Sequence, residues 1–157
     1  MNKIVVIGTQ PSCPRCKLLT EIVTQKAEQM GLNAKISHIA YTSQEAADIA
    51  SDAGLVPGTA KDVAKKAGIE INWGAEFEIS QAYHDQIKDL EQNLRPYEQL
   101  FKEVAILDNT LRPFENMAKA LGIMMTPVLI INGEIKHQGS VPWVSDIEKW
   151  LSALKTF

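Results

Sequence analysis

The chain has little cysteine: Cys13 and Cys16 are the only two among its 157 residues, which excludes a fold held together by several disulfides. Histidine is also scarce. His38, His84 and His137 lie far from the cysteines in sequence, no four-ligand zinc spacing is announced, and no metal is expected. An excess of one charge is missing, because 16 Lys and Arg stand against 19 Asp and Glu, and the basic residues are spread along the chain. A net charge of −3 gives no electrostatic footprint for a phosphate backbone or anionic lipid, so neither nucleic acid nor membrane is expected as a partner. Long apolar runs are missing too. Ile4 to Ile7 is too short for the apolar stretch of a secretory leader, and Val128 to Ile131 falls far below the roughly 18 residues of a membrane helix. The expected setting is therefore cytoplasmic. What is present is a 45% hydrophobic composition in a chain of single-domain size, enough to bury a core, and one domain over 1–157 is expected.

Lys3 to Ile7 reads as a buried strand, since four consecutive β-branched residues precede a Gly-Thr turn. A helix follows from Pro14, with apolar residues at Leu18, Leu19, Ile22, Val23, Ala27 and Met30 on one side and Gly31 as its stop. Ala34 to Ile39 alternates as a second strand. The interval 41–109 reads as a helical insertion, with Ser43 and Thr59 as N-caps and breaks at Gly54, Pro57-Gly58 and Gly68. The stripe Ile79, Tyr83, Ile87, Leu90 and Leu94 predicts a helix over Ala75 to Asn93, and another stripe follows Pro96. Leu94-Arg95-Pro96-Tyr97-Glu98 is echoed by Leu111-Arg112-Pro113-Phe114-Glu115, which reads as shared helix-start chemistry rather than a repeat. Near the end, Val128 to Ile131, the turn pair Asn132-Gly133 and Glu134 to Gln138 form a hairpin, and a closing helix buries Trp143, Val144, Ile147, Trp150, Leu151 and Leu154.

The chemistry lies in Cys13-Pro14-Arg15-Cys16, between the first strand and the first helix. At a helix N-terminus, unpaired backbone N–H groups and the positive end of the helix dipole favour a thiolate, and Pro14 suits the first helical position because it has no N–H. A separation of three puts both sulfurs on one face of the first turn, with Cys13 exposed and Cys16 inward. Cys13 then attacks a substrate disulfide and Cys16 resolves the mixed disulfide. The bland alternative is a Cys-x-x-Cys that packs or binds metal.

With a strand before the cysteines, a helix after them, and Gly122-Ile123-Met124-Met125-Thr126-Pro127-Val128-Leu129-Ile130-Ile131-Asn132-Gly133 near the end, the chain resembles the thioredoxin-like superfamily over about Asn2–Ala40 and Thr110–Lys155. The resemblance implies an α/β thioredoxin-like fold, a central mixed β-sheet flanked by helices, with a helical insertion before the cis-proline. It also implies that the Thr126–Pro127 bond is cis, that Pro127 faces the sulfurs as part of the catalytic centre, and that Thr126 offers backbone hydrogen bonds to an extended substrate. Pro14 and Arg15 join Thr126 and Pro127 as expected substrate-binding residues. The two ends are similar to small redox-active disulfide proteins, and the insertion resembles the layout of DsbA-type oxidases, which share Cys-Pro-x-Cys. Ser12 stands where typical thioredoxins have Trp, and Gly139-Ser140-Val141-Pro142 carries no glutaredoxin-like glutathione clamp.

The implied function is a thiol-disulfide oxidoreductase without an organic cofactor. Its partners are a protein or small-molecule disulfide substrate and an electron-donating dithiol protein or reductase. Two alternatives from other classes are a soft-metal protein that binds Cu or Zn through its thiolates, and a redox-sensing interaction module.

Overall fold

The computed structural model describes residues 1–74 and 78–154. The first strand, β1 (Asn2–Gly8), has Ile4, Val5, Val6 and Ile7 all buried, which requires cover on both faces of the sheet. Helix α1 (Pro14–Gln29) crosses over to β2 (Ala34–Ala40), which pairs parallel to β1 from Asn2–Ala34 to Gly8–Ala40. On the other side of β1 lies β5 (Val128–Ile131), antiparallel, followed through Asn132 and Gly133 at positive φ by β6 (Glu134–Gln138). The sheet order is β2-β1-β5-β6, a mixed four-stranded sheet.

Alternation along β1 and β5 sends side chains into two cores. Ile4, Val6, Leu129 and Ile131 pack with Leu18, Leu19, Ile22 and Val23 of α1 and with Ile147 and Leu151 of α6 (Val144–Ser152). Val5, Ile7, Val128 and Ile130 meet Ala46 and Ala50 of α2 (Gln44–Asp52) on the opposite face. A third cluster joins α3 (Ala60–Ala67) to the far half of α5 (Glu98–Ala118) and to β4 (Ile123–Met125). Ser43 caps α2, and Thr59 with Asp62 forms a reciprocal capping box on α3, each satisfying donors that a helix start leaves free.

The interval 41–109 departs from a purely helical reading. Val56–Gly58 forms strand β3, which pairs parallel with β4 in a separate two-stranded sheet. Val-Pro-Gly reads locally as a turn. Pro57 is tolerated because β3 has a single partner and sits at an edge. The helix expected over Ala75–Asn93 is shorter: α4 spans Gln81–Lys88 from an N-cap at Ser80, and the expected start at Ala75 lies outside the described residues. The chain then turns through Arg95–Tyr97 into α5, which runs past residue 109 to Ala118. The interval is thus continuous with the core.

Pro113, expected at a helix start, lies inside α5. It removes one backbone donor, at a local cost of about 3 kcal/mol. Burial of Leu111, Phe114 and Ala118 against α3 outweighs that cost. The closing helix also differs from its expected stripe. Trp143 precedes α6, remains 37% exposed, and lies against the Tyr83 ring with centroids 4.7 Å apart. No helix among the described residues is long and apolar enough to cross a membrane.

Candidate active site

The loop after β1 delivers Cys13 to the N-cap of α1 and Pro14 to its first turn. Thr9 Oγ1 accepts a hydrogen bond from the Cys13 backbone N–H at 3.0 Å and donates to Pro11 O at 3.0 Å, fixing the loop that enters the helix. Cys13 Sγ itself acts as the cap, accepting from the Cys16 N–H at 3.5 Å. Both cysteines are free thiols with their sulfurs 3.1 Å apart. Cys13 is half-buried, whereas Cys16 is fully enclosed.

This geometry separates the two thiols chemically. The Cys16 side chain, hydrogen-bonded to Cys13, does most to lower the Cys13 pKa to about 5; burial opposes it, and backbone N–H groups of Cys16 and Arg15 and the Arg15 charge add to it. The same shared hydrogen bond holds the Cys16 thiol well above its ordinary range, and burial and the neighbouring Cys13 charge push it further. One sulfur is poised as a thiolate and the other holds a proton.

Arg15 does not reach outward to solvent. It is buried, with Nε donating to Asp108 Oδ1 at 2.7 Å and Nη2 donating to Gly139 O. Asp108 Oδ2 accepts from the Val141 N–H at 3.2 Å, so the pair ties the first turn of α1 to α5 and to the loop after β6. Burial pushes the Asp108 carboxyl up to about 6, against the pull of Arg15 and of the Val141 N–H. Arg15 therefore braces the site from inside, and its charge is already matched there.

The Thr126–Pro127 peptide bond is cis, and so is Gln10–Pro11 in the loop beside the cysteines. Thr126 and Cys13 line one cleft of about 450 Å³ with Pro14, Tyr41, Lys61 and Trp73. The Thr126 N–H is already donated to Gly58 O at 2.9 Å, and Pro127 O accepts from Gly139 N at 3.0 Å. The structure thus brings Cys13, Cys16, Pro14, Arg15 and Thr126 together. Of the backbone groups expected to greet a substrate at Thr126, the N–H is taken within the chain.

Sequence reading missed Asp108, Gly8 and His38. Asp108 carried a usable signal, being a carboxylate among the apolar Val104, Ala105 and Leu111 on the inward face of α5. Gly8 approaches the pair so closely that a Cβ there would collide with Cys16 Sγ and stand 2.8 Å from both Cys16 Cβ and His38 Nε2. His38, on β2 opposite Val6, carried no local signal.

A family model described as Thioredoxin domain matches residues 102–152, from within α5 to the end of α6. The match includes Thr126 and Pro127 and leaves the cysteine pair outside it. No curated protein and no solved structure matches the chain. Together with the mixed sheet and its flanking helices, the match makes the chain thioredoxin-like in fold. Among the described residues, no three His, Cys, Asp or Glu side chains converge in a way that could hold a metal ion.

Proposed function

We propose that this thioredoxin-like chain is a thiol-disulfide oxidoreductase in which Cys13 is the nucleophile and Cys16 the resolving thiol. The observation that carries the reading is the unequal pair at the start of α1: an accessible sulfur lowered to about 5, 3.1 Å from a buried thiol that keeps its proton. The Cys13 thiolate attacks one sulfur of a substrate disulfide, releasing the other as a thiolate and leaving a mixed disulfide. Cys16, once deprotonated, attacks Cys13 Sγ; the Cys13–substrate bond breaks, the substrate leaves as its second thiol, and the enzyme is left as the Cys13–Cys16 disulfide. An electron-donating dithiol protein or reductase restores the reduced pair by the same exchange in reverse, and a reducing, cytoplasmic setting suits that cycle. No organic cofactor enters it.

The cleft beside Cys13 is the substrate groove in this reading. Thr126 lines one part of it, and Pro14 shapes the surface beside Cys13 without a competing N–H. Within the single domain 1–157, the interval 41–109 acts as a cap, because Tyr41, Thr59, Lys61 and Trp73 from it border the same cleft. Trp73, 55% exposed, gives that cap an apolar contact for residues flanking the substrate disulfide. The test is trapping. Cys16→Ser is expected to accumulate mixed disulfides through Cys13 while Cys13→Ser accumulates few, and wild type is expected to accelerate reduction of a protein disulfide by dithiothreitol. Absence of both trapping and turnover would refute the reading.

A further inference from the structure

If Cys16 is the resolving thiol, as the reading above requires, it must lose its proton while fully enclosed. The structure holds a group beside it that fits that task. Gly8 ends β1 against the pair, and a Cβ built there would lie within 3 Å of Cys16 Sγ, Cys16 Cβ and His38 Nε2 alike. The imidazole nitrogen and the resolving sulfur thus face each other across a gap no wider than a methyl group, at 2.8 and 2.4 Å from one and the same point and so at most about 5 Å apart. Any residue but glycine at position 8 would fill that gap.

His38 Nε2 is buried and has no hydrogen-bond partner. Such an orphan is costly, and native proteins keep few of them without a purpose. The other ring nitrogen is held: Nδ1 lies 3.3 Å from Gln10 Nε2 and 3.4 Å from Ser12 Oγ. Ser12 Oγ accepts from an Nδ1–H in the tautomer that leaves a lone pair on Nε2, and the Gln10 carboxamide joins it once turned to present its oxygen. Parallel pairing of β2 with β1 sets the ring beside Val6 and anchors it to the sheet rather than to a loop. The groups about it are Cys16 from α1 and the uncharged Gln10 and Ser12 from the active-site loop.

We propose that His38 Nε2 is the proton acceptor for Cys16 in the resolving step. The Cys16 S–H proton passes to Nε2 after a small side-chain rotation. The Cys16 thiolate then attacks Cys13 Sγ, the Cys13–substrate S–S bond breaks, and the departing sulfur takes the electron pair. The imidazolium returns its proton to that thiolate or to solvent. The oxidant is the substrate disulfide itself, so no further co-reactant is needed.

The test uses the full chain, reduced, with a symmetrical nitrothiobenzoate disulfide whose leaving thiolate is coloured. The first coloured equivalent reports attack by Cys13 and the second reports resolution by Cys16. His38→Gln and His38→Asn are expected to leave the first phase within about twofold and to slow the second roughly 10²-fold at pH 7, the scale of general acid-base help. A second phase of unchanged rate in both variants would overturn the proposal, and so would equal slowing of both phases, which marks a purely structural residue. Release of only one equivalent by wild type would instead overturn the dithiol function on which the proposal rests.

Discussion

Removing the Arg15 guanidinium tests the brace beneath the active site. Arg15→Met keeps most of the stem and deletes the charge that faces Asp108 at 2.7 Å. In the wild type, burial raises the Asp108 carboxyl from an ordinary 3.8 to about 6 even with Arg15 pulling it down. Between those two values the folded chain binds more protons than the unfolded one. The stability this group contributes is therefore full below about pH 4 and is lost as pH rises through 6. Two units correspond to about 3 kcal/mol of that loss. Without Arg15 the pull is gone, the carboxyl rises above its wild-type value, and the loss continues to higher pH.

The cost of Arg15→Met should consequently grow with pH. At pH 5 the carboxyl is largely protonated in both proteins, and the variant loses mainly the hydrogen bond to Gly139 O and some packing, about 1–2 kcal/mol. At pH 8 it must bury an unmatched carboxylate or keep a proton against solution, and the cost should reach about 3–5 kcal/mol. Urea denaturation followed by circular dichroism at several pH values, under reducing conditions, measures the difference, in which shifts shared by the two proteins cancel. Adding Asp108→Asn to Arg15→Met should abolish the growth with pH. A difference that stays flat from pH 5 to pH 8, or one that persists in the double variant, would refute the reasoning.

Cys16→Ala should move the Cys13 thiolate titration upward from about 5, because the largest stabilising contact is lost, and alkylation at pH 6 should slow at least tenfold or so; an unmoved midpoint in thiolate absorbance would contradict this. Gly8→Ala places a methyl group against Cys16 and His38 and should cost about 1–3 kcal/mol in denaturation, together with a slower resolving step; a variant as stable as wild type would show that the gap is not tight. Trp73→Ala, at an exposed position, should change stability by less than about 0.5 kcal/mol while raising KM for disulfide peptides with bulky apolar flanks and leaving a small disulfide reagent unaffected. Equal effects on peptide and small reagent would remove Trp73 from substrate choice.

Those parts of the fold whose signals are local are legible in the chain alone. Four β-branched residues in a row mark β1 as buried on both faces, and Cys13-Pro14 can only begin α1, because proline at its first turn costs no hydrogen bond. Asn132-Gly133 marks the hairpin through its need for positive φ at both positions. Ser43 and Thr59 were readable as caps for the same reason: each satisfies donors within three residues of itself. Tertiary structure decided what depends on pairing between distant segments. Val56–Gly58 is a strand only because Ile123–Met125 lies beside it, and Pro113 stays helical only because its flanking apolar residues find α3. Arg15 looks like a free cation near the cysteines until α5 brings Asp108 to it from 93 residues away. His38 is an unremarkable strand residue until parallel register, and a glycine too small to fill the gap, bring its ring up to Cys16. Local propensity acts over a few residues, whereas the environment of the two sulfurs is set by which segments the buried sheet draws together.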